Sequence, residues 1–391
     1  MFGCLFCGAV APIHKRLVIV GGGYAGKDLA VQSDPIFDVV WIDPKDFFLH
    51  KVGTIRAAVK PEWSPLMAVT KPELLLKRGK RIKAACTAVD SIHKTVTLST
   101  GEVVNYDYLV IATGGVNTSI CEPPASATDT TLLQQHFDEV SAIVKAAKKI
   151  VIVGGGAVGC ELAGEIASRY PKTSLVLVHS GKALCDAEGQ KLQPTPSFHK
   201  KIQTQLEAMK VKVILKTRAA VSSDVKFITG LPVVKLSNGD PIKDVDLVLV
   251  CTGFKPSTSF LPSEWLDDQS MRVKVNPQLQ VEGHPDVLAI GDCNNHPAPK
   301  IAMLAGSKKG KMFFPLGQAD VALDNLIALN RNQPLKAYAD PRNKFAEIVT
   351  LGPKAYVVEG APGFAGSYKA KNFFYSNHWT VKGVKAPPVP E

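Results

Sequence analysis

Arg16-Leu17-Val18-Ile19-Val20-Gly21-Gly22-Gly23-Tyr24-Ala25-Gly26 carries the strongest structural signal in the chain. The run up to Val20 is apolar and β-branched, of strand length, and a short helical pattern follows Gly26, so the glycines form a strand-to-helix turn. Each glycine at this spacing has its own physical reason. Gly21 permits the tight turn, Gly23 lacks the Cβ that would keep the backbone away from a diphosphate, and Gly26 lets helix and strand pack closely. A diphosphate there would rest on the positive helix N-terminus. Residues 39–42 predict a second strand ending at Asp43, 22 residues beyond Gly21. A dinucleotide fold places at that point the acid that holds a ribose hydroxyl.

The same pattern recurs. Lys149–Val153 reads as a strand, Gly154-Gly155-Gly156-Ala157-Val158-Gly159 as the turn, 160–170 as a helix, and Ser174–Val178 as a strand ending at His179. One such glycine motif is weak, since glycines also serve ordinary turns; two copies in the same context predict two dinucleotide folds. Leu109-Val110-Ile111-Ala112-Thr113-Gly114 and Leu247-Val248-Leu249-Val250-Cys251-Thr252-Gly253 are buried-strand runs closed by Thr-Gly, each roughly 90 to 100 residues after its own glycine motif. Asp286-Val287-Leu288-Ala289-Ile290-Gly291-Asp292 is another apolar strand, ending in an acid where a carboxyl edge meets ligand. Residues 345–351 and 355–359 alternate like a hairpin about Gly352-Pro353, and an aromatic, basic segment at 364–379 follows. The fold class is therefore α/β, with two Rossmann-like dinucleotide-binding domains and a small C-terminal α+β segment.

The composition agrees with this. A chain of 391 residues, 46% hydrophobic and 21% charged, has ordinary globular composition rather than that of a disordered chain. No run approaches the ~18 to 20 apolar residues of a membrane-spanning helix. Eight cysteines are too sparse for a disulfide scaffold, which favours a reducing compartment. Residues 1–12 are apolar but lack the basic start of a secretory signal. A net charge of +11 points to an anionic partner without choosing among a phosphorylated cofactor, a membrane surface and nucleic acid.

Glycine motif, Ala-Thr-Gly, second glycine motif, Cys-Thr-Gly and Ala-Ile-Gly-Asp, in this order, resemble the two-dinucleotide-binding-domain flavoprotein oxidoreductases over nearly the whole chain. Leu279-Gln280-Val281-Glu282-Gly283-His284, Ala289-Ile290-Gly291-Asp292-Cys293, Pro299-Lys300-Ile301-Ala302-Met303-Leu304-Ala305-Gly306 and Gln333-Pro334-Leu335-Lys336-Ala337-Tyr338 narrow the likeness. They resemble the apoptosis-inducing factor 2, or ferroptosis suppressor protein, group of FAD-dependent NAD(P)H:quinone oxidoreductases, which is related to type II NADH dehydrogenases.

The resemblance implies that FAD is bound by 14–118 and 272–335 and NADH or NADPH by 119–271. Residues 1–13 form an N-terminal anchor or tail and 336–391 a segment facing quinone and membrane. Gly21, Gly23 and Gly26 would cradle the FAD diphosphate, Asp43 the adenosine ribose, Thr113 and Gly114 the nearby backbone, and Asp292 the ribityl hydroxyls. A helix beginning near Lys300 would aim its N-terminus at the flavin. Gly154, Gly156 and Gly159 would hold the pyridine nucleotide. Glu161, in the first turn of the second helix, matches a glutamate beside the nicotinamide, although an acid there is also simply favoured by the helix dipole. Lys369 matches a lysine near the flavin, and Trp379 a tryptophan of the tail.

Two features depart from the expected pattern. His179 and Lys182 stand where an acid would repel a 2′-phosphate, so both NADH and NADPH are expected substrates. Residues 307–316, with Lys308, Lys309 and Lys311, interrupt the likeness. The helix after the first glycine motif lacks the cysteine pair of the flavoprotein disulfide reductases, which disfavours thiol chemistry. Cys4 and Cys7 have no second pair for zinc, so no metal is expected; lipidation suits them better, since Phe2 replaces the myristoylatable glycine of relatives.

The expected reaction is hydride transfer from NAD(P)H to FAD, then two electrons to a lipophilic quinone. The implied location is cytoplasmic and peripheral at a membrane or lipid-droplet surface, the mitochondrial surface among the candidates. An alternative enzyme reading is a soluble NAD(P)H reductase of a small electron-carrier protein. The alternative of another class is a basic apoptosis effector that binds nucleic acid. It rests on residues 77–83, five of seven basic, a run that is usually a solvated face and belongs to no visible nucleic-acid module.

Overall fold

The computed structural model describes residues 13–186, 193–297, 317–339, 347–353 and 355–359. The elements that position the two glycine turns begin with β1 (Arg16–Val20), α1 (Tyr24–Ser33), β2 (Asp38–Ile42), β3 (Lys80–Ile82) and β4 (Tyr108–Ile111). After α2 (Thr130–Ala146) come β5 (Lys149–Val153), α3 (Ala157–Arg169), β6 (Ser174–Val178), α4 (Pro196–Ala208), β7 (Val211–Ile214), β8 (Phe227–Val234) and β9 (Ile242–Val250). The chain continues with β10 (Gln280–Val281), β11 (His284–Ala289), α5 (Gln318–Asn330), β12 (Glu347–Leu351) and β13 (Ala355–Glu359).

These elements divide into two compact units. One comprises Met1–Phe48, Lys71–Gly115 and Pro256–Pro341; the other comprises Leu49–Thr70, Val116–Lys255 and Arg342–Glu391. The first unit carries a six-stranded sheet in the order β10-β11-β4-β1-β2-β3. All neighbours pair parallel except β10 and β11. The second carries a five-stranded sheet, β7-β6-β5-β9-β8, parallel except for β8 against β9. Reading outward from the glycine strand, each unit therefore repeats one nucleotide-binding half of a doubly wound fold.

The apolar runs are continuous because parallel strands are covered on both faces. Along β1, Leu17 and Ile19 pack with Leu29 of α1, Trp41, and Leu326 of α5. Val18 and Val20 pack on the opposite face with Val40, Ile42, Leu109, Ile111 and Trp265. The two-residue period of a strand divides the run between two cores. In the second unit Val151, Val176, Val178, Val245 and Val248 form one such face.

Register aligns the strand ends where ligands bind. Val20 pairs with Ile42 and Ile111, and Ala289 with Ile111, so the first glycine turn, Asp43, Thr113 and Asp292 all follow one carboxyl edge. Val153 pairs with Val178 and Val250, which puts the second glycine turn and His179 at the corresponding edge of their own sheet. The hairpin expected near the C-terminus forms as antiparallel β12 and β13.

Candidate functional site

The first turn is built by contacts that only glycine allows. Gly21 has φ +114°, and a Cβ on it would overlap the Ala112 carbonyl; a Cβ on Gly26 would overlap the carbonyl oxygen of Gly21. Gly23 is different in kind. It is the extended N-cap of α1, a helix with no side-chain cap and no acid in its first turn. Among the described residues a Cβ on Gly23 would meet no atom within 4 Å. Nothing among the described residues therefore demands glycine at 23, and Gly23 brings no side chain to cap the helix, which suits an anion-binding helix terminus. The residues fit a dinucleotide diphosphate.

Asp43 follows β2 and is 7% exposed. Its Oδ2 accepts the Gly22 N–H at 2.6 Å and its Oδ1 the Lys45 N–H at 2.9 Å. A carboxylate has about four acceptor positions, so capacity remains for a ribose hydroxyl. Arg81 stands 3.7 Å from Oδ1 and lies over the Trp41 ring, 5.2 Å from its centroid. Burial pulls the Arg81 guanidinium below its ordinary range, with Asp43 opposing the shift.

Thr113 donates its hydroxyl to the Ser257 carbonyl at 2.7 Å, and Gly114, at φ +61°, accepts the Ser257 N–H at 2.9 Å. Asp292 lies in the short turn Gly291–Cys293, opened by Gly291 at φ +78°. Beneath it is a buried polar network invisible in the sequence. Gln318 Oε1 accepts the Gly291 N–H at 2.7 Å and the Asn294 Nδ2 at 3.0 Å, and Asn294 Nδ2 also donates to the Ala289 carbonyl at 2.8 Å. Arg272 donates to the Asp292 carbonyl at 3.2 Å. The turn that presents Asp292 is thus fixed from both sides.

In the second unit Gly154 has φ +112°, and a Cβ on it would stand 2.6 Å from the Cys251 carbonyl oxygen. A Cβ on Gly159 would overlap the Gly154 carbonyl, whereas one on Gly156 would meet nothing within 4 Å among the described residues. Gly156 caps α3 in extended conformation, again with no side-chain cap. This second cradle fits a diphosphate for the same reasons as the first. His179 Nδ1 accepts the Gly155 N–H at 3.1 Å, the bond that Asp43 makes to Gly22. Lys182 is exposed. Asp186, which no motif singles out, brings its Oδ1 to 3.4 Å from His179 Nε2.

Glu161 differs from expectation. The helix begins at Ala157, earlier than residues 160–170 suggest, because Gly156 serves as the N-cap; Glu161 is its fifth residue and the first turn contains no acid. The dipole therefore does little for it, and its partner is Thr350 of β12, whose N–H and hydroxyl both donate to Oε1, at 2.7 and 2.6 Å. No sequence spacing links residues 161 and 350. Lys300, Lys369, Cys4, Cys7, the interruption at 307–316 and the aromatic tail at 364–379 lie outside the described residues.

Thiol chemistry finds no support at the edge of the first sheet. The α1 sequence Tyr24–Ser33 contains no cysteine. Burial pushes the Cys293 thiol up to about 11 and that of Cys251, in the second unit, higher still, so neither supplies a thiolate at neutral pH.

Comparison with known proteins agrees with this geometry. The family model of pyridine nucleotide-disulphide oxidoreductases matches residues 15–308. Apoptosis-inducing factor homolog B of Dictyostelium discoideum is 33% identical over 75% of this chain and 78% of its own length. Ferroptosis suppressor protein 1 of Homo sapiens is 28% identical over 95% of this chain and 97% of its own. Among solved structures, the sulfide:quinone oxidoreductase of Aquifex aeolicus shares the fold with a TM-score of 0.73 at 18% identity, covering 94% of this chain and 91% of that one. The chain belongs to the pyridine nucleotide-disulphide oxidoreductase family, in the group of apoptosis-inducing factor homologs and ferroptosis suppressor proteins, and is an FAD-dependent NAD(P)H oxidoreductase.

Proposed function

We propose that this oxidoreductase passes the electrons of NAD(P)H to a lipophilic quinone at a membrane surface. The nucleotide half of the reading is carried by the paired glycine turns: two helix N-termini, each with a glycine N-cap whose Cβ would meet no atom of the described residues within 4 Å, in two sheets that each set the glycine strand between the strand after the helix and the strand ending at Thr-Gly. FAD, when bound, would supply the redox chemistry, as acceptor of a hydride and donor of two electrons, the accompanying proton being returned to solvent or quinone. The protein binds and orients. Gly21, Gly23 and Gly26 hold the diphosphate of FAD, Asp43 its adenosine ribose, and Asp292 its ribityl hydroxyls, with Thr113 and Gly114 lining the backbone beside it. Gly154, Gly156 and Gly159 hold the pyridine nucleotide, with Glu161 toward the nicotinamide and His179 and Lys182 toward the adenosine. Lys300 and Lys369 are assigned to the flavin by family resemblance.

The lack of a cysteine pair on α1 supports an acceptor other than a disulfide. A membrane-borne acceptor suits the tail, where Phe364, Tyr368, Phe373, Phe374, Tyr375 and Trp379 alternate with Lys369 and Lys371. Such a mixture suits an interface, rings at headgroup level and lysines on anionic lipid. Among the described residues no helix is long and apolar enough to cross a membrane.

The test is an anaerobic titration of the purified yellow protein with NADH, followed by addition of a long-tailed quinone in anionic vesicles. The reading expects bleaching by NADH, recovery by quinone, and loss of the recovery alone when 364–391 are deleted. Equal recovery by the truncated chain would place the quinone site elsewhere.

A further inference from the structure

We propose that Asp186 is the residue that discriminates NADH from NADPH, an inference that rests on reading the second turn as the pyridine-nucleotide site. In the first unit one side chain, Asp43, caps the glycine turn through the Gly22 N–H and keeps acceptor capacity for a ribose. In the second unit these tasks fall to two residues. His179 takes the structural bond, accepting the Gly155 N–H at Nδ1. A ring nitrogen that accepts carries no proton, so the hydrogen of the neutral imidazole lies on Nε2, and this is the nitrogen 3.4 Å from Asp186 Oδ1. The imidazole thereby presents a donor to the carboxylate, which supplies the negative charge absent from position 179.

The loop is shaped to bring that carboxylate back over the strand end. Cys185 donates its N–H to the Gly155 carbonyl at 2.8 Å, Lys216 to the Gly181 carbonyl at 2.9 Å, and Thr217 to the His179 carbonyl at 3.0 Å. A Cβ at Gly181 would overlap the Asp186 carboxylate and stand 2.6 Å from His179 Nε2, so glycine at 181 is what lets Asp186 fold back. The Asp186 side chain remains 26% exposed, leaving an oxygen able to accept from a ribose 2′-hydroxyl. A 2′-phosphate in the same place would meet a like charge at short range. Lys182, exposed on the same loop, would act in the opposite sense if it reached that phosphate.

Calorimetric binding to the FAD-loaded, full-length protein separates these roles, with AMP and adenosine 2′,5′-bisphosphate, which differ only in the 2′-phosphate, as probes and the kcat/KM ratio for NADH and NADPH as a second readout. The wild type should prefer AMP. Asp186→Asn, which can still bond His179, should shift the preference toward the bisphosphate by roughly tenfold or more, while Asp186→Glu should retain it. Asp186→Ser, with the melting temperature checked, guards against a local packing effect of Asn. An unchanged ratio in both the Asn and Ser variants, or a wild type that prefers the bisphosphate and loses that preference in Lys182→Ala, would overturn the proposal. A wild type that binds neither probe would overturn the nucleotide reading of the second turn, and this inference with it.

Discussion

Glu161 takes both donors of Thr350 on a single oxygen, the backbone N–H at 2.7 Å and the hydroxyl at 2.6 Å. The bond joins the helix after the second glycine turn to the first strand of the C-terminal hairpin. Three residues on, Gly164 makes room for the same strand, since a Cβ there would stand 2.6 Å from the Leu351 Cα. Thr350→Val keeps the shape and the amide bond but removes the hydroxyl, a loss of about 0.5 to 1.5 kcal/mol of stability. If Glu161 is aimed at the nicotinamide from this anchor, stopped-flow reduction by NADH should slow in Thr350→Val and more so in Glu161→Ala, with flavin content unchanged. Wild-type reduction rates in both variants would leave Glu161 a purely structural residue.

The glycines of the first turn separate binding from folding. Gly23→Val adds bulk where no described residue stands within 4 Å, so the protein should melt cooperatively yet purify without the yellow of bound FAD. Gly26→Val drives a side chain into the Gly21 carbonyl and should cost at least about 1 to 3 kcal/mol of stability. Thermal melting and the visible spectrum together check the contrast; a yellow Gly23→Val protein would refute the diphosphate assignment.

Gln318→Leu should act at a distance of 27 residues from the turn it supports. It leaves the Gly291 N–H and one donor of Asn294 without their shared acceptor, at about 1 to 3 kcal/mol for a buried donor. Asp292→Ala should leave the fold intact and weaken FAD by about 1.5 to 3 kcal/mol, the worth of a charge-assisted hydrogen bond. Fluorescence titration of the apoprotein with FAD measures the second effect and urea unfolding the first.

A pH dependence follows from His136 of α2, whose Nε2 lies 3.0 Å from the Ile120 carbonyl. Burial holds its imidazole below the ordinary value of 6.5, outweighing the bond to Ile120, which acts the other way. The unfolded chain therefore takes up the proton first as pH falls. The contribution to stability is complete above about pH 7 and is lost as pH drops through the unfolded value toward the lower folded one. His136→Gln can still donate to Ile120 and cannot titrate. Its urea midpoint should fall less than that of the wild type between about pH 7.5 and about pH 5; equal losses would remove His136 from the account.

The two nucleotide-binding halves and the ends of their strands were legible in the residues because the signals are local. A β-branched run, a glycine triplet at fixed spacing and an acid after the next strand interact within some 25 residues, and backbone geometry ties them together before any distant contact forms. The register of β1 against β2 and β4, with Val20 opposite Ile42 and Ile111, is decided by the folded sheet. The helix α3 starts three residues before the position its side chains suggest, because the glycine N-cap carries no side-chain signal of its own.

Tertiary structure alone decided the supports. Gln318 under Gly291, Thr350 against Glu161, Arg81 over Trp41 and Asp186 beside His179 are polar groups brought together from separate elements or around a loop. Composition and periodicity mark which residues are buried, since burial of apolar surface repeats with the period of strand or helix. A buried amide, hydroxyl or carboxylate must instead find a partner of the right geometry wherever the fold supplies one, and that partner has no fixed place in the sequence.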